Sequence, residues 1–200
     1  MIVKIFKYDK KNKEWTINTK KKYDVIYCDT PNTFKMKKTG AGFKSGAEEK
    51  YPVMDLDQIC ALPVDKIAKP NALLFLWVQT AISGGTSNNI GDPILDSWNF
   101  HYRSKLYWDK MSIGMGSDFR NQVEELWYAR RGNIKALHMT RQSNVVRHKR
   151  VGHSVKPDVF RKIIEECAIK QFGKNVKMIE LFARKAPFRR KWDYFGNELH

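Results

Sequence analysis

The stretch NALLFLWVQT, residues 71–80, places the strongest constraint on the fold of this chain. It is an apolar run bounded by Pro70-Asn71 on one side and by a segment containing Gly and Ser on the other. A run of this kind is typical of a strand that is buried on both faces of a sheet. Such a strand needs a covering layer on each face, so the run favours an α/β fold.

The rest of the chain alternates between strand-like and helix-like patterns. Strands are predicted at residues 2–6, 13–17, 24–28, 100–108, 123–129 and 177–184, the first two as a hairpin. Helices are predicted after Asp55 as N-cap, around Ile94–Trp98, and at residues 157–172 with Pro157 at the start. Buried strands that alternate with helices predict a three-layer α/β fold with a mostly parallel sheet.

Length and segment composition indicate one domain that covers residues 1–200. Two hundred residues suffice for a substantial core, and no repeat or linker divides the chain. Residues 32–50 and 81–93 have no periodicity and are predicted to be long loops. The three cysteines form no CxxC pair, and no secretory signal or apolar run of about 20 residues is visible, so we expect an intracellular protein without a membrane segment.

The charge balance points to a polyanionic partner. The net charge is +16 in a chain that is 42% hydrophobic, which indicates a folded and strongly basic protein. Nucleic acid fits this surplus better than a membrane surface does, and a generally basic solvated surface is the alternative. Phosphate contacts are predicted for the basic segment 141–150 and for lysines before and after the strand at 24–28, namely Arg141, Arg147, His148, Lys149, Arg150, Lys20–Lys22, Lys35, Lys37 and Lys38.

Polar residues follow two of the predicted buried strands. Asp29 comes directly after residues 24–28, and Glu180 to Arg184 lie at the end of the strand near the C-terminus. Ligands of open α/β sheets bind outside the carboxyl ends of the strands, so these two ends define the candidate site. A turn residue at a strand end is the alternative for Asp29. The histidines lack metal-ligand spacing, and no metal is assigned.

Seven segments, taken in order from about Tyr23 to Glu198, carry a resemblance to a known family. They are DVIYCDTP, YPVMDLDQICALPV, LLFLWV, GMGSDFRNQVEELWYARRGN, HSVKPD, IELFARK and WDYFGNE. Together they resemble the adenine methyltransferases with an Asp-Pro-Pro-Trp signature, a family that includes messenger-RNA enzymes and many phage and bacterial DNA enzymes. The resemblance implies a Rossmann-like, S-adenosylmethionine-dependent methyltransferase fold.

The resemblance also implies a catalytic motif at residues 29–32. Asp29 matches the family's acid, which accepts a hydrogen bond from the 6-amino group of adenine, and Pro31 matches the second proline. Thr30 and Asn32 replace the first proline and the tryptophan. Thr30 keeps a backbone carbonyl for the second amine hydrogen but loses the fixed φ of proline. Asn32 lacks a ring for base stacking, so we expect Phe34 or Phe43 to substitute.

A second set of residues is implied to bind S-adenosylmethionine. Lys156 in HSVKPD matches the lysine that meets the methionine carboxylate, while Arg184 and Asn197 match positions near the ribose and adenine. Glu198 stands where relatives carry Gln or Glu, and Asp29 borders the same site. Each of these residues, taken alone, is more simply a surface or turn residue. Only the joint pattern indicates that they bind the cofactor.

The resemblance therefore predicts an adenine-specific DNA methyltransferase, of phage or mobile-element type, that transfers the methyl group directly and in line. RNA is the less favoured substrate. A catalytically silent relative that serves as a nucleic-acid-binding or partner subunit is the alternative, favoured by Thr30 and Asn32. An altered pocket for a different amine or transferred group is a third interpretation, and a homodimer or heterodimer stays open. The base pocket is expected between Asp29 and the loops at 32–50 and 112–121.

Overall fold

A computed structural model describes residues 2–9, 11–12, 14–31, 54–78, 90–114, 119–139, 141–152, 155–184 and 189–196. Within these ranges the strands are β1 (Phe6–Asp9), β2 (Glu14–Ile17), β3 (Tyr23–Cys28), β4 (Ala68–Val78), β5 (His101–Asp109), β6 (Val123–Arg131), β7 (Val145–Arg147), β8 (Met178–Leu181) and β9 (Trp192–Phe195). The helices are α1 (Leu56–Cys60), α2 (Gly91–Ser97) and α3 (Asp158–Phe172), and Val64–Lys66 form a 3-10 turn.

Seven of these strands form one sheet in the order β7-β5-β6-β4-β3-β8-β9. β6 runs antiparallel to both of its neighbours, and every other pair in this sheet is parallel. Six strands therefore end at one edge, which we name the carboxyl edge, and β6 begins there. This arrangement confirms the mostly parallel sheet predicted from the sequence.

The central strands alternate their side chains between two helical layers. Val25 and Tyr27 of β3 belong to a buried cluster with α3, whereas Ile26 and Cys28 belong to a cluster with α1 and α2. Successive side chains of a strand point to opposite faces, so a strand covered on both faces must be apolar at every position. The three-layer α/β architecture is confirmed, and its two apolar interfaces form the core.

Two predicted helix starts are confirmed in position. Asp55 caps α1 by accepting a hydrogen bond from the Gln58 backbone N–H at 2.8 Å, and the Gln58 side chain accepts one from the Asp55 N–H at 3.0 Å. This reciprocal pair is a capping box. α3 begins directly after Pro157 and buries the predicted apolar face against the sheet.

β4 begins at Ala68, earlier than the prediction that placed Pro70 outside the strand. β3 pairs with Ala68 and then, after a register shift, with Leu73, while the pairing of β6 with β4 starts at Ala72. Pro70 thus lies where neither neighbouring strand is in regular register. Proline cannot donate to a ladder, and such an irregular position tolerates it.

The N-terminal hairpin forms, but its first strand is β1 rather than residues 2–6. The Asp9 carboxylate accepts hydrogen bonds from the backbone N–H groups of Lys11 and Asn12, at 2.8 and 3.3 Å, and these bonds fix the turn close to Asp9. Ile2 instead bridges to Tyr194 of β9, and the Val3 N–H donates to the Tyr194 carbonyl at 2.8 Å.

Two strands of the sheet were not predicted. β7 is three residues long and lies in the basic segment, and β9 comes from a segment expected only to close the chain. Both stand at the ends of the sheet order: β7 pairs with β5, and β9 pairs with β8 and makes a single bridge to Ile2, so neither needs a continuous apolar run. None of the helices in the described ranges combines the length and the apolar character needed to cross a membrane.

Candidate active site

Asp29 lies directly after β3, at the carboxyl edge of the sheet. The turn that follows is held in place, because Thr30 is buried and the Met54 N–H donates to the Pro31 carbonyl at 2.8 Å. The strand end and this turn fix the backbone on both sides of the carboxylate. Asn32, Phe34 and Phe43 lie outside the described residues, so the predicted aromatic substitution is not tested.

The ammonium group of Lys156 lies beside the Asp29 carboxylate. Its Nζ atom is 3.3 Å from Asp29 Oδ1 and 2.9 Å from Glu124 Oε2. The same atom lies 5.0 Å from the centroid of a Trp77 ring, and the Lys156 side chain is 9% exposed. An aromatic face and two carboxylates therefore stabilise a largely buried cation. The structure brings together two residues that the sequence analysis assigned to one site from distant segments.

Glu124 is a residue of this cluster that the sequence analysis missed. It is the second residue of β6, and because β6 is the antiparallel strand its first residues lie at the carboxyl edge. The Lys110 ammonium, itself buried, lies 3.5 Å from Glu124 Oε1. The two glutamates near the start of VEELWYARR are the sequence signal for this position. They can be assigned to the site only when the direction of β6 is known.

Mutual attraction outweighs burial in this cluster. Burial alone would lower the pKa of Lys156, but the charges of Asp29 and Glu124 raise the pKa above its ordinary value. Burial alone would raise the pKa of Glu124, but Lys156 and Lys110 hold that pKa below its ordinary value. Lys156 and Glu124 therefore carry full charges at neutral pH.

Glu180, one of the two strand-end acids singled out in the sequence, faces α3. Its carboxylate accepts hydrogen bonds from Arg161 Nε at 2.7 Å and Arg161 Nη2 at 2.5 Å. The Arg161 guanidinium also lies 5.4 Å from the centroid of the Tyr27 ring, and the Tyr27 hydroxyl accepts a hydrogen bond from Trp77 Nε1 at 2.7 Å. Glu180 therefore supports the elements that carry Asp29 and Lys156 and does not itself contact Lys156.

The end of β8 meets the end of β9, as the proposed binding of one cofactor by both segments requires. The Ala183 N–H donates to the Phe195 carbonyl at 2.9 Å. A Cβ atom on Gly196 would lie 2.1 Å from the Ala183 carbonyl oxygen, so only glycine permits this backbone approach. Arg184 directly follows Ala183 in the chain and is half-buried. Asn197 and Glu198 lie outside the described residues, and their predicted roles stay predictions.

The predicted phosphate-binding residues do not form one surface. Arg147, Lys149 and Arg150 are exposed and His148 is half-buried, at the carboxyl edge around the end of β7. Arg141 lies apart from them and lines a cleft of about 350 Å³ with Glu166 and Lys170, on the C-terminal half of α3.

The lysines predicted to contact phosphates also lie apart from one another in the chain. Lys20–Lys22 precede β3 and therefore lie at the edge of the sheet opposite to Asp29. The length of six strand residues, about 20 Å, separates the two. Lys20–Lys22 therefore lie apart from the carboxyl edge, and their predicted phosphate contacts stay a prediction. Lys35, Lys37 and Lys38 lie outside the described residues.

Comparison with known proteins places this geometry in a family. The MT-A70 family model matches residues 23–198, so the chain belongs to the MT-A70 family, the adenine methyltransferase family that its motifs resemble. The sheet and its two helical layers are the Rossmann-like fold expected for such a methyltransferase. The Type II methyltransferase M.MunI of Mycoplasma sp is 29% identical in an alignment 198 positions long, which spans 90% of this chain and 79% of that protein.

Proposed function

We propose that this protein transfers a methyl group from S-adenosylmethionine to the 6-amino group of adenine in nucleic acid. The observation that carries the proposal is the Asp29 carboxylate held 3.3 Å from the buried Lys156 ammonium at the carboxyl edge of the sheet. DNA is proposed in preference to RNA for two reasons. Many members of the family with the Asp-Pro-Pro-Trp signature act on DNA, and the similar protein M.MunI is a Type II methyltransferase.

The residues present fit S-adenosylmethionine as a ligand. Its methionine end carries a carboxylate and an amino group, and the cluster offers a buried cation beside two carboxylates. We infer that Lys156 holds the methionine carboxylate, and that Arg184, Asn197 and Glu198 bind the ribose and adenine. When bound, the cofactor supplies a methyl group on a positively charged sulfur.

Asp29 is the proposed acceptor for the target amine. The amine of adenine is a weak nucleophile, since its lone pair is delocalised into the ring. Asp29 accepts a hydrogen bond from one amine hydrogen and the Thr30 carbonyl accepts one from the other, which directs the nitrogen lone pair at the methyl group. The nitrogen that gains the methyl group would release a proton, and the Asp29 carboxylate is placed to accept it. Alignment and a fixed negative charge provide the catalysis.

A label-transfer experiment tests the proposal. The protein is incubated with S-adenosylmethionine carrying a tritiated methyl group and, separately, with unmethylated genomic DNA, single-stranded DNA and RNA. Digestion to nucleosides is expected to place the label in 6-methyladenine, with the highest yield from DNA. Cofactor binding without transfer to any substrate would support the silent relative. Absence of cofactor binding would contradict the site assignments.

The role of Lys156 predicts a loss of cofactor affinity in Lys156→Met. A hydrogen bond to a charged group contributes about 1.5–3 kcal/mol, so we expect the Kd for S-adenosylmethionine to rise roughly 10- to 100-fold. Isothermal titration calorimetry measures this change, and circular dichroism checks that the variant is folded. Lys162→Met is the matched control, because Lys162 is an exposed lysine of α3. An unchanged Kd in Lys156→Met would show that the lysine has another role.

A further inference from the structure

The described residues on the two sides of the connection between β5 and β6 form the stem of a hairpin at the carboxyl edge. The Lys110 N–H donates to the Gln122 carbonyl at 3.1 Å, and the Gly114 N–H donates to the Asn121 carbonyl at 2.8 Å. The Asp109 carboxylate accepts hydrogen bonds from the Met111 N–H and from Gln122 Nε2, at 2.9 and 2.7 Å. Residues 111–114 and 119–122, the described parts of the hairpin tip, are therefore held on a fixed stem.

The hairpin tip exposes large apolar side chains. Phe119 is 88% exposed, Ile113 is 69% exposed and Met111 is 53% exposed. Single exposed apolar residues are ordinary, but a cluster that includes a nearly fully exposed aromatic ring is typical of a contact surface. These side chains contribute little to the core, so their chemistry is available to a partner.

Cations border the apolar cluster. Arg120 is exposed on the hairpin tip, and Arg147, Lys149 and Arg150 are exposed on the segment beside it. Arg150 joins the two segments, because its Nη2 atom lies 2.9 Å from the position that a Cβ atom on Gly114 would take. The described residues of 110–114, 119–123 and 147–151 contain no Asp or Glu, and the acid beside them is Asp109, which lies 3.4 Å from Arg147. We name Met111, Ile113, Phe119, Arg120, Arg147, Lys149 and Arg150 the edge patch.

A chain of charged side chains connects the edge patch with the candidate active site. Lys110, at the base of the hairpin, lies 3.5 Å from Glu124, and Glu124 lies 2.9 Å from the Lys156 ammonium next to Asp29. A long ligand bound across the edge patch would therefore reach the carboxyl edge where Asp29 stands.

We propose that the edge patch binds duplex DNA, with Phe119 and Ile113 placed against or between bases and with Arg147, Lys149 and Arg150 on phosphates. This inference rests on the proposed function only in taking nucleic acid as the substrate. A target base must leave the stack before its amine can be methylated, and apolar side chains that enter a base step stabilise the gap left behind.

The charges of the edge patch favour DNA over a second copy of this chain as its partner. In a two-fold contact each patch faces itself, so the four cations of one copy would approach the four of the other, and Asp109, 3.4 Å from Arg147, offsets one of these four charges. A phosphate backbone instead complements those cations on both sides of the apolar cluster. The edge patch is therefore a DNA surface rather than a dimer interface.

Two pairs of variants test the edge patch in a binding experiment without cofactor. Fluorescence anisotropy with a fluorescein-labelled duplex of mixed sequence measures affinity. Base stacking on an aromatic ring predicts roughly tenfold weaker binding or more for Phe119→Ala. Tyr8→Ala is its control, since Tyr8 is 44% exposed but lies on β1, outside the central sheet. Lys149→Ala is expected to lower the slope of log Kd against log salt by about 0.9, and Lys20→Ala by less.

The outcomes separate this inference from the proposed function. Unchanged DNA affinity in both Phe119→Ala and Lys149→Ala overturns the edge patch, even if the wild-type protein methylates DNA. Weaker binding in both variants supports the edge patch, even if no label is ever transferred. A wild-type dimer that Phe119→Ala converts to a monomer at unchanged DNA affinity would assign the patch to contacts between copies and overturn the inference.

Discussion

Asp29→Asn is expected to lower kcat for adenine methylation by about 10²–10³-fold, the usual loss when one preorganised electrostatic group is removed from an active site. Asparagine keeps the shape of the side chain but loses the negative charge that attracts the amine hydrogen and the proton released after transfer. It also leaves Lys156 with Glu124, whose carboxylate lies 2.9 Å from the ammonium. Lys156 therefore stays charged, and the Kd for S-adenosylmethionine is expected to change far less than in Lys156→Met.

The measurement is the initial rate of label transfer at varied DNA concentration and saturating cofactor, with cofactor affinity measured separately. The expected signature is an equal fall in kcat and kcat/KM, which indicates an interaction made only in the transition state. Asp24→Asn is the matched control. Asp24 lies near the other end of β3 and pairs with Lys69 at 2.8 Å, far from the site. Transfer by Asp29→Asn at the wild-type rate would remove Asp29 from the mechanism.

The fold was predictable where local pattern and tertiary environment agree. β3, β4 and α3 lie close to their predicted positions because each carries an apolar pattern that its packing uses directly. β7 and β9 were missed because short edge strands depend on a neighbour's unpaired backbone, which no local pattern records. The antiparallel direction of β6 was unpredictable for the same reason, since direction is a property of the whole sheet.

The residues of the candidate site were likewise predictable only in part. Asp29 and Lys156 were found because motifs in the family's order mark them, and the structure places their charged atoms 3.3 Å apart. Glu124 was missed because it reaches the carboxyl edge only through the reversed direction of β6. Arg141 and Lys149 belong to one basic run in the sequence, yet β7 stands between them and assigns them to different surfaces.

The second large effect is a loss of stability, expected when the buried ion pair of Arg161 and Glu180 behind the candidate active site is broken. Arg161 and Glu180 side chains are each 6% exposed, and Arg161 makes two short hydrogen bonds to the carboxylate. Removing one member of such a pair leaves a buried charge without a partner, which lowers the free energy of unfolding by about 3–5 kcal/mol. We expect a loss of this size in Arg161→Met, measured by urea denaturation at neutral pH.

The pH dependence of that loss identifies its cause. Burial raises the pKa of Glu180 above its ordinary value of 4.5 even though Arg161 opposes the shift, so without Arg161 the pKa rises further. Between the ordinary pKa and the raised pKa the folded variant holds a proton that the unfolded chain has released. The free energy of unfolding of Arg161→Met therefore falls as pH rises through this window, and the difference from the wild type is smallest in acid.

Two further variants complete the test of the buried pair. Arg161→Met combined with Glu180→Leu removes both charges, so it is expected to recover most of the lost stability and to show no added pH dependence. Lys162→Met changes an exposed neighbour on the same helix and should have little effect. A loss below about 1 kcal/mol in Arg161→Met, constant with pH, would contradict the buried-charge account. Because Arg161 Nη1 also donates to the Lys156 carbonyl at 3.4 Å, we expect the single variant to loosen the start of α3 and to weaken cofactor binding together with stability.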